Sequence, residues 1–159
     1  YWRINPDDPA ETSSLHEAAG LLYDTSICYE RRAGFRFGIG TPYRLFHKRK
    51  KKTSKCLQLP TIFMDTHMIT HSMYNRFETP DAEIDSILAE TKKFGGLFIS
   101  NYHVRMLNDT FFPGVRKMFQ KSLELIVKDS KCFCKTPTEI AQYWVTREKK
   151  LRDASCDVT

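Results

Sequence analysis

The sequence predicts an α/β domain with a mostly parallel sheet, and three observations carry that expectation. Short apolar, β-prone runs alternate with segments of helical apolar spacing. Thr79-Pro80 and Thr136-Pro137 each join a capping hydroxyl to a proline in the first helical position. Glycines at Gly20 and at Gly95-Gly96 fall where a helix should stop and a strand begin.

Taken in order, Pro9 to Ala19 reads as a short helix with Leu15, Ala18 and Ala19 on one side and Gly20 at its end. Leu21, Leu22 and Tyr23 form a strand that delivers Asp24, Thr25 and Ser26. Gly34 to Phe46 is rich in glycine and aromatics, which predicts irregular strands and turns. Leu57 to Met64 is a strand interrupted by Pro60, a sign of an edge or a bulge. The second helix runs from Thr79-Pro80 to about Lys93 with Ile84, Ile87 and Leu88 inward, and the strand Leu97 to Ser100 follows. The third, Val115 to Val127, places Met118, Phe119, Leu123 and Ile126 on one face. A short strand at Cys132 to Cys134 leads to the last helix, from Thr136-Pro137 through about Lys150.

At 159 residues the chain supports one domain, and 41% hydrophobic content is that of a globular protein. No apolar run approaches the roughly 20 residues that span a bilayer. The chain begins at Tyr1 rather than Met, so an upstream segment is expected, and the lack of a signal-type start carries no weight. The net charge of +6 is concentrated in HKRKKKTSK, His47 to Lys55. Without the six basic residues of that run the remaining chain is neutral, which predicts a solvated basic loop rather than a basic face. Five cysteines, Cys28, Cys56, Cys132, Cys134 and Cys156, form an odd, scattered set without C-x-x-C spacing. They read as reduced thiols of a cytoplasmic protein, with Cys132 and Cys134 on one strand face.

Three constellations bear on chemistry. GGLFISNYHVR, Gly95 to Arg105, is an apolar run that ends on Asn101, Tyr102 and His103. A strand ending this way presents an imidazole at the rim of an α/β sheet, or else the histidine caps the strand on a nearby carbonyl. Asp24 also ends an apolar run, at the kind of strand terminus where α/β active sites collect side chains. Arg36, in GFRFG, is placed to anchor a carboxylate such as Asp24 or to stack on Phe35 or Phe37. The third, Asp65, His67 and His71 in MDTHMITHS, has the i, i+4 spacing of a zinc pair. It lacks the H-E-x-x-H glutamate and a third ligand, so it reads as a decoy.

In sequence, EAAGLLYDTSICYERRAGFRFGIGTPYRLF, LQLPTIFMDTHM, GGLFISNYH and KDSKCFCKTPTEIAQYW resemble the second half of a polysaccharide deacetylase domain. These are metal-dependent carbohydrate esterases that include chitin and peptidoglycan deacetylases. The resemblance covers nearly the whole chain. It implies part of a distorted, incomplete (β/α) barrel, one N-terminally incomplete domain over 1–159, and a family-specific insertion at about 30–78. It also implies hydrolysis of the N-acetyl amide of a carbohydrate. His103 then sits at the family's late histidine, the general acid that protonates the leaving amine. Asn101 stands where the family has leucine, and Tyr102 lies beside it on the substrate side. Asp24 falls at the aspartate that tunes the catalytic pair through an arginine, and Arg36 belongs to the insertion. The family's divalent metal, usually zinc, and its base aspartate come from motifs expected upstream of Tyr1. This chain alone is therefore expected to hold no metal and to catalyse nothing. The alternatives are a non-catalytic deacetylase homologue, or a small basic module binding nucleic acid through Lys48 to Lys55 beside Tyr43 and Phe46.

Overall fold

The computed structural model describes residues 4–5, 7–30, 32–68 and 80–156. Among these it is mixed α/β, with four α-helices and two small sheets. The chain divides into two compact units.

The first unit holds the described residues up to Asp24, Pro42–Leu59 and the chain from Lys135 onward. Its sheet has the order β1-β3-β2, from Tyr23–Asp24, Lys52–Gln58 and Tyr43–His47. β1 runs parallel to β3, and β2 runs antiparallel to it with a register shift between Arg44 and Phe46. Helix α1, Pro9–Ala18, starts on Asp8, whose carboxylate accepts the Glu11 N–H, with Pro9 next in the chain. It buries Ala10, Ser13 and His16, whereas Leu15 is 66% exposed. The face expected from Leu15, Ala18 and Ala19 is thus not the buried one. A polar network won instead: the Ser13 and Ser54 hydroxyls bond at 2.9 Å and the Gln58 amide donates to Ser13. Helix α4, Pro137–Cys156, opens with a reciprocal cap. Thr136 Oγ1 accepts from the Glu139 N–H, and the Glu139 carboxylate accepts from the Thr136 N–H at 2.9 Å. A bidentate pair, Arg44 Nε to Glu148 Oε1 and Arg44 Nη2 to Glu148 Oε2, ties β2 to α4.

The second unit holds Thr25–Thr41 and Pro60–Cys134. Its sheet is the parallel pair β4, Phe63–Met64, and β5, Ser100–Asn101. Helices α2, Pro80–Lys93, and α3, Val115–Val127, supply the core with Ile84, Ile87, Leu88 and Met118 against Ile62 and Phe63. α2 ends in a Schellman motif: the Gly96 N–H bonds Thr91 O, the Gly95 N–H bonds Lys92 O, and Gly95 sits at φ +60°. The chain then passes so close to Gly40 that a Cβ on Gly96 would lie 2.9 Å from its carbonyl oxygen. The Leu97 N–H donates to that oxygen.

Four element expectations need correction. Leu57 to Met64 is two strands in two sheets, because Pro60 has no N–H to continue the ladder. Only Ser100–Asn101 of the Leu97 run is in a ladder, since the Leu97 N–H is already committed to the Gly40 loop. Leu21 and Leu22 are exposed and only Tyr23–Asp24 pair. Cys132 to Cys134 forms no strand: Asp129 draws the Lys131 and Cys132 N–H groups into a local turn. The basic run is not a free loop either. Its centre, Lys48 to Lys51, is the turn of the β2–β3 hairpin, closed by the Lys51 N–H on Lys48 O, and Lys52 to Lys55 belong to β3. Within α3, Met118 is buried and Ile126 packs on the core, but Leu123 is 44% exposed.

Cys56 is fully buried on β3, and desolvation, reinforced by the Asp24 carboxylate, pushes its thiol up to about 11. At pH 8 it is a protonated, enclosed thiol. In native protein, Cys132 and Cys134 should react with a disulfide reagent within minutes, while Cys28 and Cys56 should wait for unfolding. Mass mapping of the labelled cysteines checks this, and prompt labelling of Cys56 would contradict the burial.

Candidate functional site

β4 and β5 run parallel, so their carboxyl ends emerge side by side, where α/β sheets collect functional groups. Met64 pairs with Asn101, and just past that register the chain places Asp65 directly after β4 and His103 two residues after β5. Asp65 is fully buried. Its Oδ1 lies 2.7 Å from His103 Nδ1, and its Oδ2 accepts the His103 backbone N–H. An ionised carboxylate only accepts, so Nδ1 carries the hydrogen and the remaining nitrogen, Nε2, is the reactive one. The His103 side chain is 39% exposed against 0% for Asp65. The arrangement is an orienting carboxylate behind an accessible imidazole, able to move one proton at Nε2.

His67, in the 3-10 turn Asp65–Met68, has the opposite tautomer. Its Nδ1 accepts the Met64 N–H at 3.2 Å, so its Nε2 must carry the hydrogen that the Tyr29 carbonyl accepts at 2.9 Å. Both ring nitrogens are engaged, and the ring stands edge-on to Phe63. His71, the other half of the H-x-x-x-H spacing, lies outside the described residues. Burial pushes the His67 pKa below its ordinary value, against the weaker opposing pull of the Tyr29 carbonyl and Asp65.

That shift has a pH consequence. With the folded pKa depressed, the unfolded chain binds a proton first as pH falls. Stability is therefore full above the ordinary histidine value near 6.5. Below it, the loss reaches about 1.4 kcal/mol per pH unit until the folded pKa is met. Urea unfolding at pH 7.5 and 5.5 should show a smaller drop in His67→Gln than in the parent. Equal drops would contradict the assignment.

The other residues singled out from the sequence occupy distinct places. Asp24 belongs to the first unit, where it is buried with its Oδ2 3.7 Å from His16 Nδ1 and its backbone carbonyl accepting the Leu59 N–H. Arg36, in the second unit, donates from Nη1 to the Cys28 carbonyl at 2.9 Å and lies 5.8 Å from the Phe37 ring centre. Its partner is a carbonyl, so it clamps its own loop. Tyr102 packs between Phe63 and Phe119, at 5.5 and 4.9 Å between ring centres, as part of the core edge. Asn101 is half-buried on β5. Asp65 is the residue the sequence reading did not join to His103. Its signal was present: a carboxylate placed directly after an apolar strand run, as at Asp24.

Among the described residues no three His, Cys, Asp or Glu side chains converge to hold a metal ion. No described helix is long and apolar enough to cross a membrane. In the basic hairpin, Arg49 faces Asp8 at 3.3 Å and Glu11 at 3.8 Å, and Lys52 faces Glu17 at 3.4 Å. These exposed pairs contribute little stability, but they set carboxylates of α1 beside the cations a polyanion would need. Comparison of the chain with protein-family models, curated proteins and solved structures found no match.

Proposed function

We propose that this chain carries the general-acid element of a carbohydrate N-deacetylase of the polysaccharide deacetylase kind, and that by itself it does not complete the reaction. The observation supporting the reading is the Asp65–His103 pair at the carboxyl ends of two parallel strands. On this reading the chain is part of a distorted, incomplete (β/α) barrel, and the metal and base groups lie outside the described residues.

The chemistry assigned to the pair is specific. When water adds to the amide carbon, the C–N bond cannot break until the nitrogen is protonated, because an amide anion is too poor a leaving group. The protonated His103 ring gives its Nε2 proton to that nitrogen as the bond breaks. The ring returns to the neutral Nδ1–H form still bonded to Asp65, and that hydrogen bond holds its aim. The pair is a proton donor with a fixed direction.

The test is release of free amine from an N-acetylated chitooligosaccharide, with zinc supplied, by the product of the full coding region that contains these residues. His103→Gln should lower kcat by about 100-fold or more with little change in KM. The 159-residue chain alone should release none. An undiminished rate in His103→Gln would overturn the acid assignment. Turnover by the isolated chain would overturn the division of labour.

A further inference from the structure

The second unit contains a cavity of about 710 Å³, bordered by the loop from Tyr29 to Thr41 and by one face of α2. Neither Asp65 nor His103 lines it. Its size falls within the range of small-molecule sites. Its walls are unlike the rest of this basic chain.

On α2, Glu83, Ile87 and Glu90 recur at helical spacing, so two carboxylates flank one aliphatic side chain on the cavity wall. Glu83 is buried and Glu90 is exposed. Among the described residues the Glu90 carboxylate takes part in no hydrogen bond or ion pair. Across the cavity stand aromatic and aliphatic groups, Tyr29, Phe35 and Ile39, with Phe94 at the end of the helix. Among the described lining residues one cation stands on the wall, Arg32, which lies 4.0 Å over the face of Tyr29. An aromatic wall that already holds a guanidinium, together with the unpaired Glu90 carboxylate, favours a cation in the cavity.

The cavity is also built rather than a gap in loose packing. Tyr29 Oη donates to Arg36 O, Arg36 Nη1 to Cys28 O, and the Gly34 N–H to Ile62 O. His67 Nε2 donates to Tyr29 O and the Leu97 N–H to Gly40 O, which fixes the loop at both ends. A ligand meets a pre-formed wall, so little ordering cost offsets its binding.

From these observations we infer that the cavity binds an amphiphilic organic cation, an amine or guanidinium on an apolar body. The ammonium pairs with Glu90 and the ring or chain lies on Ile87, Phe35 and Phe94. The inference does not depend on the hydrolase reading, since it uses none of the residues of the Asp65–His103 pair.

The experiment titrates the full chain with phenethylammonium and, separately, with its neutral analogue 2-phenylethanol, following the isoleucine methyl resonances. Saturable shifts at Ile39 and Ile87 are expected for the amine, with the alcohol about tenfold weaker. Glu90→Lys, at an exposed helical position, should weaken the amine by tenfold or more and leave the alcohol unchanged. Added salt should weaken only the amine. Equal affinity for amine and alcohol, an unaltered affinity in Glu90→Lys, or shifts that avoid Ile87 would each overturn the inference.

Discussion

Asp65→Ala is expected to lower the stability of the fold by about 3 kcal/mol, because two donors lose the carboxylate they share, itself closed to water. The His103 N–H and Nδ1–H both end on this one fully buried carboxylate. Truncation leaves the backbone donor facing a void, and the imidazole loses what sets its plane. Asp65→Asn separates the two roles. An amide keeps the volume but offers one acceptor oxygen, so one donor must face the NH2 group instead. A loss of about 1–2 kcal/mol is expected for Asn, with the ring of His103 reoriented. Urea unfolding followed by circular dichroism gives both values. A loss below about 1 kcal/mol for Asp65→Ala would mean that the carboxylate is not the shared acceptor described above.

Phe63→Ala is expected to cost more still, about 4 kcal/mol. Phe63 is fully buried at the centre of the second unit's core, beside Ile62, Ile84 and Met118. Its ring meets His67 edge-on at 6.0 Å and Tyr102 at 5.5 Å, so its removal opens a cavity under both. The same truncation at Phe111, which is 74% exposed, should stay within about 0.5 kcal/mol. A pair of melts separates the two cases, and comparable losses would contradict the placement of the core.

The helices were the legible part of this fold. Thr136-Pro137 with Glu139 closes into a reciprocal cap. The Met118 and Ile126 face of α3 meets the core. The signals there are local, within one or two turns of the chain. Strands were read less well, because a strand exists only where a neighbour pairs with it. Leu97 to Ile99 has strand composition, yet Leu97 is taken by the Gly40 carbonyl and only the two residues after Ile99 enter a ladder. Leu15 misled for a different reason: hydrogen bonding among Ser13, Ser54 and Gln58 decided which face of α1 turned inward. At the site, His103 was visible as a histidine ending an apolar run. Its partner Asp65 lies 38 residues away, and no local pattern joins the two. For Arg36 the sequence offers a carboxylate to anchor or an aromatic ring to stack on; the guanidinium lies 5.8 Å over the Phe37 ring and donates to a loop carbonyl.

The measurement that tests the central claim most directly is the tautomer of His103, read from long-range nitrogen–proton correlations of the neutral imidazole in the folded chain. With Asp65 bonded to Nδ1, the hydrogen should sit on Nδ1 and the bare nitrogen should be Nε2, and Asp65→Asn should disturb that preference. A His103 ring protonated on Nε2 with Nδ1 bare would contradict the pair, and with it the assignment of His103 as an aimed proton donor.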